Sequence, residues 1–84
     1  MNKEEEIYKI LNGIFRDIFD DDKIVLDATT KAGDIAGWDS FNHINIVVSV
    51  EAAFGIKFRS AEIEELQNVG QLVDIITERW SAGK

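Results

Sequence analysis

Apolar residues recur at three- and four-residue steps through Ile7, Ile10, Leu11, Ile14, Phe15 and Ile18, so the opening segment buries its hydrophobic surface best as an amphipathic helix. Glu4, Glu5 and Glu6 lie where the helix dipole is positive, while Asp20-Asp21-Asp22 puts poor helix formers and negative charge at the other end. A helix is therefore predicted over residues 3–19. The same period returns late in the chain, where Asn68 is placed to cap a helix carrying Val69, Leu72, Val73, Ile76 and Trp80. Between them Phe41, Ile44, Ile46, Val47, Val48, Val50 and Phe54 cover more than one face of a segment running from Ser40 to a stop at Gly55. A helix that apolar is expected in the middle of a bundle, and its β-branched run means packing must hold it helical. A short helical turn over Ala61–Leu66, capped by Ser60, completes the expected all-α fold: a small four-helix bundle of three main helices and one short one.

Residues 20–38 show no sustained period, although Ile24, Val25, Leu26, Ile35 and Trp38 are scattered among them and Gly33 and Gly37 interrupt the backbone. So long a first loop is uncommon in a small domain and usually serves a function. Its apolar residues are expected to pin it to the core. With 84 residues and no internal repeat or linker, the chain reads as one domain, 1–84. Such a domain buries only about 60–65% of its unfolded surface, so every large core side chain counts.

The balance of 16 acidic against 9 basic residues gives a net charge of −7. That field repels nucleic acid and anionic membranes and favours basic proteins as partners. There is no cysteine, which removes disulfides and thiolate metal sites from consideration. MNKEEEIYKI has no long apolar core behind a basic segment, so neither a secretory signal nor a membrane span is expected, and a cytoplasmic monomer is the default.

Asp17, Asp20, Asp21, Asp22 and Asp27 invite a calcium reading, but the spacing opposes it. An EF-hand loop begun at Asp20 would have Ile24 at a ligand position, Val25 where glycine makes the turn and Lys31 where the bidentate Glu belongs. Asp39, Ser40 and His43 hold the residue types of a hydrolase triad, yet they crowd into one helical turn, and Gly37-Trp38-Asp39-Ser40-Phe41 lacks the Gly-x-Ser-x-Gly elbow. His43 is expected to be a solvated helix residue, and no catalytic or metal-binding residue is assigned. What remains is Ser40, where a long loop enters a helix. A phosphate on its oxygen would meet free backbone N–H groups and the positive end of the dipole. The plain alternative is that Asp39 or Ser40 is only an N-cap.

The stretch Asp39-Ser40-Phe41-Asn42-His43-Ile44, continuing through Val50-Glu51-Ala52-Ala53-Phe54-Gly55-Ile56-Lys57-Phe58, resembles the Asp-Ser-Leu signature, central helix and following loop of the acyl carrier protein family. Glu62-Ile63-Glu64-Glu65-Leu66 resembles that family's short third helix, and Asn68-Val69-Gly70-Gln71-Leu72 the start of its last, so nearly the whole chain is covered. The resemblance implies a non-enzymatic carrier in which a phosphopantetheinyl transferase attaches 4′-phosphopantetheine to Ser40. Asp39 would support the attachment, and the thiol of the arm would hold acyl groups as thioesters for acyl-transferring and acyl-modifying enzymes. The pathway would be fatty acid, polyketide or other specialised lipid biosynthesis. A peptidyl or aminoacyl carrier, or an unmodified acidic helical adaptor, are the alternatives. Phe41, Asn42, Asn45 and Glu51 fall where the family meets its partners. Phe41 replaces the usual Leu and is expected to keep its inward contact. Asn42, Asn45, Ala52 and Ala53 stand where carboxylates are usual, leaving Glu51 as the one acid of that helix.

Overall fold

The computed structural model describes residues 3–80. The expected domain limits at 1 and 84 lie outside them. Four α-helices run in order along the chain: α1 (Lys3–Phe19), α2 (Ser40–Phe54), α3 (Ser60–Glu65) and α4 (Val69–Arg79). No strand occurs among the described residues, and a single 3-10 turn, Ala32–Asp34, interrupts the loop between α1 and α2. The all-α fold with three main helices, one short helix and a long first loop is as the sequence predicts.

The helix packed against both α2 and α4 is α1, which buries Ile7, Leu11 and Phe15 completely. Its stripe clusters with Ile46, Val50 and Phe54 from α2 and Val69, Leu72, Val73 and Ile76 from α4, with Leu26 and Ile56 closing the gaps. The sequence places α2 at the centre, and this is corrected. Phe41, Ile44 and Val48 are 74%, 49% and 57% exposed, because a chain of three main helices has no element left to cover the outer face of α2. Trp80 lies just beyond α4 and sets its ring edge-on against Phe54, centroids 4.8 Å apart.

The long loop is tied down by specific hydrogen bonds. The Leu26 amide donates to Asn12 Oδ1 (2.8 Å) and Arg16 Nε donates to the Ile24 carbonyl (2.7 Å). Further on, the first free amides of α4 are taken up by loop carbonyls, Val69 N–H by Thr30 (2.8 Å) and Gly70 N–H by Ala28 (3.0 Å). Leu26 is buried and Ile24, Ile35 and Trp38 pack on the core, but Val25 is 74% exposed. In an extended stretch successive side chains point to opposite sides, so Ile24 and Leu26 inward leaves Val25 outward. The contact at Gly70 is close: a Cβ there would lie 2.8 Å from the Ala28 carbonyl oxygen. Gly70→Ala should therefore destabilise the fold by about 1–3 kcal/mol despite the better helix propensity of Ala. An unchanged denaturant midpoint would show that the loop yields freely.

The short helix α3 is held from outside. Arg59, not Ser60, occupies its cap, and the Arg59 amide donates to Glu62 Oε1 (2.9 Å). Ser60 instead takes the first helical position because the Glu62 carboxylate reaches back to satisfy the amide before it. Arg79 at the end of α4 forks onto both Glu62 oxygens and also donates to the Lys57 carbonyl (2.8 Å), joining α3 to α4. Hydrogen bonds from Arg79, then from the Arg59 amide, lower the Glu62 pKa from 4.5 to about 2. A carboxyl depressed in the folded state contributes stability that is complete above its unfolded pKa and lost as pH falls through the folded one. The pair should thus lose its contribution between pH 4.5 and about 2. Acid melts of Glu62→Gln should be flatter than those of the parent protein over this window. Parallel curves would show that the fork contributes nothing.

Candidate functional site

Ser40 is the first residue of α2 and is exposed; its hydroxyl makes no hydrogen bond among the described residues. Capping falls to Asp39, whose carboxylate accepts the Asn42 amide (2.9 Å) while its carbonyl accepts that of His43 (2.8 Å). This leaves the Ser40 and Phe41 amides, the first two of the helix, without partners among the described residues. Gly37, with φ 92°, turns the chain into the cap, and the Phe19 ring lies 3.5 Å from where its side chain would be. Only glycine adopts that backbone without strain.

The residues beside Ser40 divide between solvent and scaffold. Phe41 is turned out and does not keep the inward contact expected of it. The buried positions Ile46, Val47 and Val50 set the inner face, on which position 43 falls; position 41, two residues earlier, lies about 200° around the helix. Asn42 and Asn45 are half-buried. Asn42 Nδ2 donates to the Gly37 carbonyl (2.8 Å) and Asn45 Nδ2 to Asn42 Oδ1 (3.1 Å), so these amides brace the Gly37 turn against α2. Glu51 is half-buried as well, accepting the Phe58 amide at 2.9 Å. It anchors the segment after α2.

His43 is not the solvated residue expected. It is half-buried, its Nδ1 accepting from Trp38 Nε1 (3.2 Å) and its Nε2 lying 3.0 Å from the Ile63 carbonyl. A nitrogen that accepts from an indole carries no proton, so Nε2 bears the hydrogen and donates to Ile63. Both ring nitrogens are occupied by scaffold groups, leaving none to activate Ser40, and the three residues form no hydrolytic triad. The signal overlooked is spacing: residue 43 shares the period of 46, 47 and 50. Trp38 in turn meets the buried Phe15 edge-on, centroids 5.2 Å apart.

Beside Ser40 an open groove of about 510 Å³ runs between α2 and α3, lined by Trp38, His43, Ile44, Ile63 and Leu66 together with the carboxylates of Asp39 and Glu64. The arrangement presents an unencumbered primary alcohol on a rigid helix start, with two free amide donors nearby and a partly apolar trough beside it. Among the described residues no base is hydrogen-bonded to the alcohol.

No family model matches the sequence. Relatives do. The chain is 28% identical over 79 residues to the acyl carrier protein of Thermotoga maritima, covering 94% of this chain and 98% of that one. It is 29% identical over 79 residues to a putative mitochondrial acyl carrier protein of Schizosaccharomyces pombe, covering 94% of this chain and 68% of the relative. Among solved structures, the solution structure of holo acyl carrier protein from Geobacter metallireducens superposes with a TM-score of 0.80 at 46% identity, over 86% of this chain and 83% of that one. With a shared bundle and identity at this level over most of both chains, this chain belongs to the acyl carrier protein family.

Proposed function

We propose that this protein carries acyl groups as thioesters on a 4′-phosphopantetheine arm joined to Ser40. The observation that carries the reading is the free, exposed Ser40 hydroxyl at the start of α2, capped by its neighbour and not by itself. The residues fit the group. The two unpartnered amides and the helix dipole favour a phosphodiester at this oxygen. The trough lined by Trp38, Ile44, Ile63 and Leu66 offers apolar surface to the part of the arm beyond the phosphate. The arm's terminal thiol supplies the thioester chemistry when attached. The chain's own part is positional: Asp39 fixes the helix start, Gly37 turns the loop into it, and Trp38 and His43 hold the loop against α2 and α3. Attachment forms an Oγ–P bond, breaks the coenzyme A pyrophosphate and releases the nucleotide bisphosphate, with a phosphopantetheinyl transferase as catalyst. Asp39 also offers a carboxylate beside Ser40 to the Mg²⁺ of that enzyme.

On this reading the protein is a substrate of enzymes and not a catalyst, serving acyl-transferring and acyl-modifying partners in fatty acid, polyketide or another specialised lipid synthesis. Incubation with coenzyme A, Mg²⁺ and a broad-specificity transferase should add one arm. An unchanged intact mass refutes the reading and leaves the acidic adaptor.

Partner contacts at Phe41, Asn42, Asn45 and Glu51 belong to the same reading; Phe41 is exposed, while the other three are half-buried and hydrogen-bonded within the chain. Along α2 the outward residues Phe41, Ile44 and Val48 form an apolar stripe at three- and four-residue steps, and the helix's one carboxylate is held by the Phe58 amide. Enzymes that dock here meet an apolar and uncharged surface. Apparent KM values for such enzymes should change little between 50 and 300 mM salt, whereas contacts through several exposed ion pairs would weaken severalfold as salt screens charges beyond about 8–10 Å. A steep salt dependence would overturn the apolar reading. No described helix is long and apolar enough to cross a membrane.

A further inference from the structure

We infer that Asn42 is a positioning residue for arm attachment: it clamps the Gly37 turn against the start of α2 and so fixes the direction in which Ser40 offers its hydroxyl to the transferase. The inference rests on the arm being joined to Ser40.

Asn42 holds the segment before Ser40 at two points. Its backbone amide donates to Asp39 Oδ1 (2.9 Å), and its side-chain Nδ2 donates to the Gly37 carbonyl (2.8 Å). The same carbonyl accepts the Asp39 amide (3.0 Å), closing a three-residue turn over Trp38, so both of its lone pairs are engaged. The orientation of the Asn42 amide is set from the far side, where its Oδ1 accepts Asn45 Nδ2 (3.1 Å). A reversed amide would face the Gly37 carbonyl with an oxygen and Asn45 with a second donor. What the clamp restrains is a residue of wide backbone freedom, Gly37 at φ 92°.

The chemistry at Ser40 depends on that restraint. Attachment joins Ser40 Oγ to phosphorus as the coenzyme A pyrophosphate bond breaks; the hydroxyl proton passes to a base of the transferase and the nucleotide bisphosphate leaves. Such a displacement needs the attacking oxygen in line with the leaving one, and a misplacement of about 1 Å costs on the order of 100-fold in rate. The Ser40 hydroxyl makes no hydrogen bond among the described residues, so its direction comes from the backbone that carries it. Asn42 holds that backbone at residues 37 and 39. Aspartate has nearly the same shape but no donor, and would set an oxygen against the Gly37 carbonyl. Position 42 is also the third residue of α2, where the helix dipole favours negative charge. Substitution by Asp therefore separates the two roles: it keeps or improves the helix start while releasing the turn.

The test measures arm attachment by a broad-specificity transferase with coenzyme A and Mg²⁺, varying the concentration of arm-free protein, for the parent, Asn42→Asp and Asn42→Ala. A parent that gains no mass refutes the carrier reading and the clamp with it. With the parent reacting, Asn42→Asp should lose at least about fivefold in kcat, with KM within about twofold and a urea midpoint equal to the parent's or higher. A purely structural role cannot give slower attachment on an equally stable fold. Asn42→Ala, which removes the donor without adding charge, should show the same fall in kcat. Asn45→Ala, which frees the amide to turn, should show a smaller one. An Asn42→Asp protein that reacts as fast as the parent or faster would overturn the clamp and leave the carrier reading standing. So would a raised KM with unchanged kcat, which would place Asn42 in direct contact with the transferase.

Discussion

Phe15→Ala should cost about 3–5 kcal/mol, a large share of the roughly 5–15 kcal/mol that holds a domain of this kind folded. Phe15 is the largest of the fully buried side chains, sitting on the one helix that packs against both α2 and α4. Its ring touches Phe19 (centroids 5.9 Å) and Trp38 (5.2 Å), so its removal opens a cavity beneath the loop that leads to Ser40. Collapse into that cavity would draw Trp38 off His43 and loosen the groove wall. Two effects should therefore appear together in urea unfolding followed by tryptophan fluorescence: a much lower midpoint, and a native-state emission shifted by a more solvated Trp38. Ala at the exposed Ile44 gives the comparison, expected within about 0.5 kcal/mol of the parent. A small loss at Phe15 would mean that the core is organised around some other residue.

How far the fold is legible in the sequence depends on whether local period or long-range contact decides each feature. The stripe from Ile7 to Ile18 yields α1, and its end at Phe19 is legible because poor helix formers and negative charge follow at positions 20–22. Asn68 and Gly55 act as cap and stop as expected, since both roles depend on backbone geometry within one turn. The centrality of α2 is misread because composition shows how apolar a helix is but not how many neighbours a short chain can supply. Ser60 is misread as a cap because Glu62 reaches back to the Arg59 amide while Arg79, 17 residues on, holds the same carboxylate. At the site, Asp39-Ser40 is legible as a helix start. The Trp38–His43–Ile63 chain is not, because its last bond spans 20 residues and depends on where α3 lies. Glu51 shows the same limit: its type suggests a displayed charge, and only the path of the chain back to Phe58 shows the carboxylate engaged.

Ser40→Ala should abolish arm attachment completely while leaving the fold intact, and that combination separates an attachment serine from a capping one. The two roles are easily confused in sequence, because Ser and Asp are both favoured N-caps and stand side by side here. The structure gives the cap to Asp39, through its bond to the Asn42 amide, and leaves the Ser40 hydroxyl in solvent. Truncating Ser40 removes no hydrogen bond among the described residues, so its stability should stay within about 0.5 kcal/mol of the parent. Asp39→Ala should lose about 1 kcal/mol, because the Asn42 amide is left without its acceptor. The reaction with coenzyme A and transferase then reads function: no adduct on Ser40→Ala, and a slowed but complete adduct on Asp39→Ala, whose hydroxyl is present but less firmly presented. If Ser40→Ala still gained the mass of the arm, attachment would lie elsewhere on the chain. If it lost as much stability as Asp39→Ala, Ser40 would be a structural cap after all.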